Sequence, residues 1–181
     1  ITPNLDRFAE QSCVFTQALS NYPVCSPMRA MLMSGKFSFS NGVHSNCNSD
    51  TRPYNVMLRD SAGTFPQVLR DAGYDCGYIG KWHLDSPEGE NAGPARGDGK
   101  VWDGYVPKEH RLGFNFWNAY NCHDDHFNPH YWRTDRVQHD ADYASMRKPG
   151  KWSVEYEVDV AIDYLRNEGE TMRDPDKPFA L

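Results

Sequence analysis

Residues 64–80 constrain the fold more than any other stretch. Thr64 precedes a helical run through Leu69, Asp71-Ala72-Gly73 closes it, and Tyr74-Asp75-Cys76-Gly77-Tyr78-Ile79-Gly80 follows as a strand. A helix handing over to a strand within a few residues belongs to the α/β class. The chain has 181 residues, the length of one domain or of a piece of a larger one. Aromatic residues reach 13 %, which argues against disorder, because that much ring surface must be buried somewhere. With 19 Lys+Arg against 25 Asp+Glu the net charge is −6, which makes the chain a poor candidate for nucleic acid or an anionic membrane, since both call for a basic face. No apolar run approaches the roughly 20 residues that cross a bilayer.

The remaining elements follow from local signals. Thr2 and Pro3 open a short helix with Leu5, Phe8 and Ala9 at helical spacing. Val14 to Ala18 reads as a brief strand. From Cys25 to Met33 the chain suits a helix that Gly35 ends. Residues 36–60 read as a long polar loop and 86–110 as an irregular excursion. Phe114 to Tyr120 is an aromatic strand. Ser153 is expected to cap a helix with Val154, Val158, Ala161, Ile162 and Leu165 on one face and Gly169 near its end. Phe179-Ala180-Leu181 starts a further strand. Both ends are expected to be trimmed, since a crossover helix needs a strand on each side.

Five cysteines, an odd number without CxxC spacing, make neither a disulfide framework nor a zinc knuckle. One of them sits in Cys25-Ser26-Pro27-Met28-Arg29, of the form C-x-P-x-R. Thr2-Pro3-Asn4-Leu5-Asp6 lies upstream. Ser34-Gly35-Lys36, Gly42-Val43-His44, Gly73-Tyr74 and Gly80-Lys81-Trp82-His83 follow in order. Together these segments resemble the type I, formylglycine-dependent sulfatases of the alkaline phosphatase superfamily, closely over residues 1–85 and loosely beyond.

The resemblance implies a fold and a chemistry. The fold would be part of a three-layer α/β sandwich of the sulfatase and alkaline phosphatase type, with residues 1–181 a portion of the N-terminal catalytic domain, truncated at both ends. In such enzymes a formylglycine-generating enzyme oxidises the signature cysteine, here Cys25, to an aldehyde whose hydrate attacks the sulfate ester. Arg29, one helical turn on, would support the nucleophile. Lys81 and His83, two apart at a strand end and so expected on one side, would bind sulfate oxygens, with His83 also placed to protonate the leaving oxygen. The family's divalent metal, usually calcium, would take Cys25 as its sole ligand from these residues. The isolated chain is therefore expected to be inactive and prone to self-association.

Other readings stand beside these. Cys25 alone would pass for a packing residue, and Arg29, Lys81 and His83 for solvated surface. Cys122-His123-Asp124-Asp125-His126-Phe127-Asn128-Pro129-His130 reads as a metal site, as a polar loop, or as a substrate-contacting loop in which Asn121, His123 and His126 meet a sugar or aryl group. The substrate class is a sulfated small molecule or glycan. The rivals are a phosphodiester or phosphonate hydrolase with the same signature and a non-catalytic sulfatase-like binding protein. The resemblance places such an enzyme in the periplasm or outside the cell, or in the lysosome of a eukaryote.

Overall fold

In a computed structural model, which describes residues 1–181 with the exception of the Asp60 side chain, five α-helices and four strands form. The helices are α1 (Pro3–Ala9), α2 (Cys25–Ser34), α3 (Ser38–Asn41), α4 (Phe65–Asp71) and α5 (Ser153–Arg166). The strands are β1 (Asp75–Lys81), β2 (Phe116–Tyr120), β3 (Trp132–Thr134) and β4 (Phe179–Ala180). They make one sheet in the order β3-β2-β1-β4. β1 runs parallel to β2, from Gly77 opposite Phe116 to Lys81 opposite Tyr120, and parallel to β4. β3 is the antiparallel edge.

The helix–strand unit that constrained the reading forms as expected. Thr64 precedes α4, and its backbone N–H donates to the Gln67 Oε1 at 2.7 Å. Gly73 takes φ +92 before β1 begins. Gly35, with φ +65, ends α2.

Alternation along β2 divides the interior into two layers. Trp117 and Ala119 face one side, where they join Ala30 and Met33 of α2 and Cys76 of β1. Phe116 faces the other side and packs with Val160 and Tyr164 of α5. Helices therefore lie on both faces of the sheet, a three-layer α/β/α arrangement. α5 approaches β1 so closely that a Cβ on Gly77 would stand 2.9 Å from the Tyr164 ring.

Several expectations fail for physical reasons. Residues 14–18 form no strand: without a partner strand to complete backbone pairs, they turn in the open, with Val14 and Phe15 exposed. α1 forms but buries nothing, and Leu5 and Phe8 are exposed. The 36–60 segment is not one unstructured loop, since it folds into α3 and a 3-10 turn at Arg52–Tyr54. α5 begins one residue earlier than expected: Trp152 is the N-cap and Ser153 already the first helical residue. Asn167, with φ 51, ends it instead of Gly169. Its packed face carries Tyr156, Val160 and Tyr164, while Val154, Val158, Ile162 and Leu165 are exposed.

Candidate active site

The carboxyl ends of β1 and β2 point the same way, and the N-terminus of α2 meets them there. Ligands of open α/β sheets collect at such strand ends. Cys25 opens α2 and is exposed, whereas Cys47, Cys76 and Cys122 are buried. Burial pushes the Cys47 thiol up to about 12 and raises those of Cys76 and Cys122 as well, which keeps them protonated and unreactive.

The C-x-P-x-R segment and the Gly80-Lys81-Trp82-His83 segment converge. Lys81 Nζ lies 3.9 Å from Cys25 Sγ. Arg29, on the same helix as Cys25, donates from Nη1 to the Lys81 carbonyl at 2.7 Å. The Tyr78 hydroxyl donates to that carbonyl too. The strand end carrying Lys81 is thereby held to the helix carrying Cys25. The first turn of α2 offers an anion its dipole more than its amides. The Ser26 N–H is taken by Asn46 Oδ1 at 3.0 Å, and Pro27 has no N–H.

Strand alternation does not place His83. β1 ends at Lys81, Gly80 already has φ +96, and His83 takes φ 54. The ring is turned inward and buried, with Nε2 3.0 Å from the Cys47 carbonyl. Only a protonated nitrogen can donate to that carbonyl, so Nε2 carries the hydrogen. Nδ1 is left as a buried acceptor without a partner. Burial, and then the charges of Lys81, Arg29 and Arg96, lower the His83 pKa to about 3, so the ring is neutral at pH 7. In this state the ring can accept a hydrogen bond at Nδ1 but cannot donate one from that atom.

Residues 45–51, which carried no functional expectation, tie the site together. Ser26 Oγ accepts from the Cys47 N–H at 3.1 Å, while the Cys47 carbonyl accepts from His83. Asn46 and Cys47 thus link the start of α2 to His83. The visible signal was the Ser45-Asn46-Cys47-Asn48-Ser49-Asp50-Thr51 run, whose short polar side chains bond nearby backbone groups and fix loops.

The loop after β2 is ordered by its own contacts. Asn121 is buried, donates to the Asp85 carbonyl at 2.7 Å and leaves Oδ1 unpartnered. His123 is buried against Tyr120, its ring centroid 3.8 Å away, and burial first lowers its pKa to about 4. His126 is exposed and its Nδ1 lies 3.1 Å from Ser153 Oγ. His130 pairs with Asp103 at 2.5 Å. Arg96, from the 86–110 excursion, reaches the Cys122 carbonyl and Asp124, both at 2.7 Å.

Among the described residues, no three of His, Cys, Asp or Glu gather so as to hold a metal ion. Calcium takes 6–8 oxygen ligands, and Cys25 has no carboxylate company. The residues of this chain do not fit the expected metal. Also among the described residues, no helix is long and apolar enough to cross a membrane.

A cysteine at a helix start, a lysine 3.9 Å from it, an arginine that ties the two elements and a neutral buried histidine thus gather at one end of an α/β sheet. The Sulfatase family model matches residues 1–146, and the chain belongs to that family. It is 47 % identical over 184 residues to an endo-4-O-sulfatase of Bacteroides thetaiotaomicron, covering 99 % of this chain and 34 % of the relative. It is 32 % identical to an ulvan-active sulfatase of Formosa agariphila, covering 98 % and 29 %. A Bacteroides thetaiotaomicron structure, solved in work on the metabolism of multiple glycosaminoglycans, superposes with a TM-score of 0.85 at 42 % identity, covering 99 % of this chain and 36 % of that one. The chain spans about a third of the length of these relatives.

Proposed function

We propose that this chain carries the nucleophile-bearing part of a sulfuric ester hydrolase acting on a sulfated carbohydrate. The observation that supports this most is the 3.9 Å approach of Lys81 Nζ to Cys25 Sγ, because it joins two motifs 56 residues apart. The carbohydrate class comes from relatives named for glycan sulfates. Oxidation of Cys25 to formylglycine by a modifying enzyme supplies a geminal diol, one oxygen for attack on sulfur and a second for release of sulfate. Exposure of Cys25 leaves it accessible for that conversion.

The remaining work falls to side chains of this chain. Lys81 neutralises an oxygen of the bound sulfate, and Arg29 holds the Lys81 backbone at the start of α2. His83 stays neutral, its N–H to the Cys47 carbonyl fixing the tautomer and leaving Nδ1 as a hydrogen-bond acceptor. Asn121, His123 and His126 contact the sugar part from the loop after β2. Calcium, the cofactor the family resemblance implied, finds among the described residues no group of three or more His, Cys, Asp or Glu to hold it, and residues 1–181 by themselves are expected to be inactive. The partners are a sulfated glycan and the modifying enzyme, and the place of action is the periplasm or the cell exterior.

Mass spectrometry of the Cys25 peptide tests the reading. Conversion makes it about 18 Da lighter. Unconverted cysteine in an enzyme that is active on sulfate esters would overturn the assignment. In the complete enzyme, turnover of a glycan sulfate above that of a phosphodiester is expected, and the reverse preference would favour the phosphodiester reading.

A further inference from the structure

Arg96 carries a charge that the chemistry above does not use. Two contacts set its position: Nη2 donates to the Cys122 carbonyl at 2.7 Å, and the guanidinium lies 5.9 Å over the Trp102 ring. Trp102 is itself fixed, by its N–H to Asp98 at 3.0 Å and by an edge contact with the His83 ring, the centroids 6.0 Å apart. Lys81 acts on the thiol of the same Cys122 whose carbonyl holds Arg96, so the two cations flank one residue. The charge of Arg96 also reaches His83, together with those of Lys81 and Arg29. Three cations converging on one spot of a chain with net charge −6 favour a substrate that bears more than one negative charge.

Arg96 already holds a carboxylate at its open side. Nη1 donates to Asp124 Oδ2 at 2.7 Å, in a pair whose side chains are 35 % and 70 % exposed. An ion pair so open to water contributes little, and a carboxylate held by further contacts of its own can take the place of Asp124. The Cys122 and Trp102 contacts do not involve Asp124, so they keep the guanidinium oriented through the exchange. A planar carboxylate matches a guanidinium, and Asp124 shows that the approach is open to one.

We propose that Arg96 is a specificity-determining residue that binds the carboxylate of a hexuronate next to the sulfated sugar, with Asp124 as its exchangeable stand-in. The choice of a sugar acid rests on the carbohydrate reading above. In the complete enzyme, kcat/KM is measured for a sulfated disaccharide containing a hexuronate and for the same compound with that carboxyl reduced to an alcohol. The preference for the carboxylated compound should fall about tenfold or more in Arg96→Gln, mainly through KM, the scale of one lost charge-assisted hydrogen bond. In Asp124→Asn, where the competing carboxylate is gone, the preference should rise about two- to fivefold.

A merely structural Arg96, ordering the loop after β2, would slow both compounds alike and leave the preference unchanged, and that result overturns the proposal. A larger loss in Arg96→Gln on a compound with a second sulfate in place of the carboxyl overturns the carboxylate assignment. An unchanged or lowered preference in Asp124→Asn overturns the exchange. Calorimetry with the sulfate-free, carboxylated disaccharide needs no turnover: its Kd should rise about tenfold in Arg96→Gln, and an equal Kd counts against the proposal. Should the unsubstituted enzyme turn over no sulfate ester while that difference in Kd remains, the sulfatase reading falls and the assignment of Arg96 stands.

Discussion

Protonating His83 should cost the fold stability by an amount that depends little on how far its pKa has moved. The ring is buried, its Nε2 hydrogen is committed to Cys47, and Lys81, Arg29 and Arg96 oppose a further positive charge. In the unfolded chain His83 titrates at about 6.5, whereas in the fold it titrates at about 3. Above pH 6.5 both states hold it neutral and pH has no effect through this residue. As pH falls below 6.5 the unfolded state binds a proton that the folded state refuses, so stability declines until pH nears 3. At pH 5 the loss is about 1.5 × 1.36, or roughly 2 kcal/mol, for any folded value well below 5. His123, also lowered, acts in the same direction. His110, whose pKa is raised, acts oppositely: its contribution is present below 6.5 and is lost as pH rises through its folded value. A comparison with His83→Gln removes both confounders. Urea unfolding of both proteins at pH 7 and pH 5 should show the unsubstituted chain losing about 2 kcal/mol more than the variant. Equal losses, or a histidine Cε1 resonance for His83 titrating near 6.5, would refute the buried, neutral tautomer.

Four further outcomes are expected. Cys25→Ala in the complete enzyme should abolish sulfate ester turnover with an unchanged thermal melt, as judged by a chromogenic assay. Lys81→Ala should lower kcat/KM by about 10²-fold, the scale of one lost charge-stabilising group, and the kinetics of the purified variant check it. Gly77→Ala should destabilise by about 1–3 kcal/mol in urea unfolding, because its Cβ would meet the Tyr164 ring at 2.9 Å and α5 would have to move. Calorimetry of the isolated chain with calcium should show no stoichiometric binding, since among the described residues no carboxylate set accompanies Cys25.

Segments where one local signal decides structure were legible. α4 with its Thr64–Gln67 contact, the Gly35 end of α2 and the start of β1 each depend on residues within a few positions of one another. The expectation for His83 had the right neighbourhood and the wrong geometry. Lys81 and His83 do come together with Arg29, whose charge acts on the His83 ring. Yet they do so because the backbone leaves the extended region at Gly80 and again at His83, which no period-2 argument contains. Asn46 and Cys47 were missed for a related reason. Their roles are backbone and side-chain bonds to Ser26 and His83, 20 and 36 positions away, and nothing in a polar loop names such partners in advance.

α5 shows that the apolar stripe of a helix and the face it lays on a sheet need not coincide. Val154, Val158, Ile162 and Leu165 form the more conventional apolar stripe, yet they are exposed. The face laid on the sheet is Tyr156, Val160 and Tyr164, two of which carry hydroxyls that sequence scales count against burial. Those hydroxyls have partners: Tyr156 donates to Asn118 Oδ1 at 3.0 Å, and Tyr164 reaches the Asp75 carbonyl at 3.3 Å. Tyr164 is admitted to the sheet only because position 77 lacks a side chain. A tyrosine buried with its hydroxyl satisfied gains the area of the ring without the cost of a stranded polar group. The packing face of α5 was therefore decided by Asn118, Gly77 and the backbone of Asp75, all on the sheet, and the helix's own sequence carries only half of that choice.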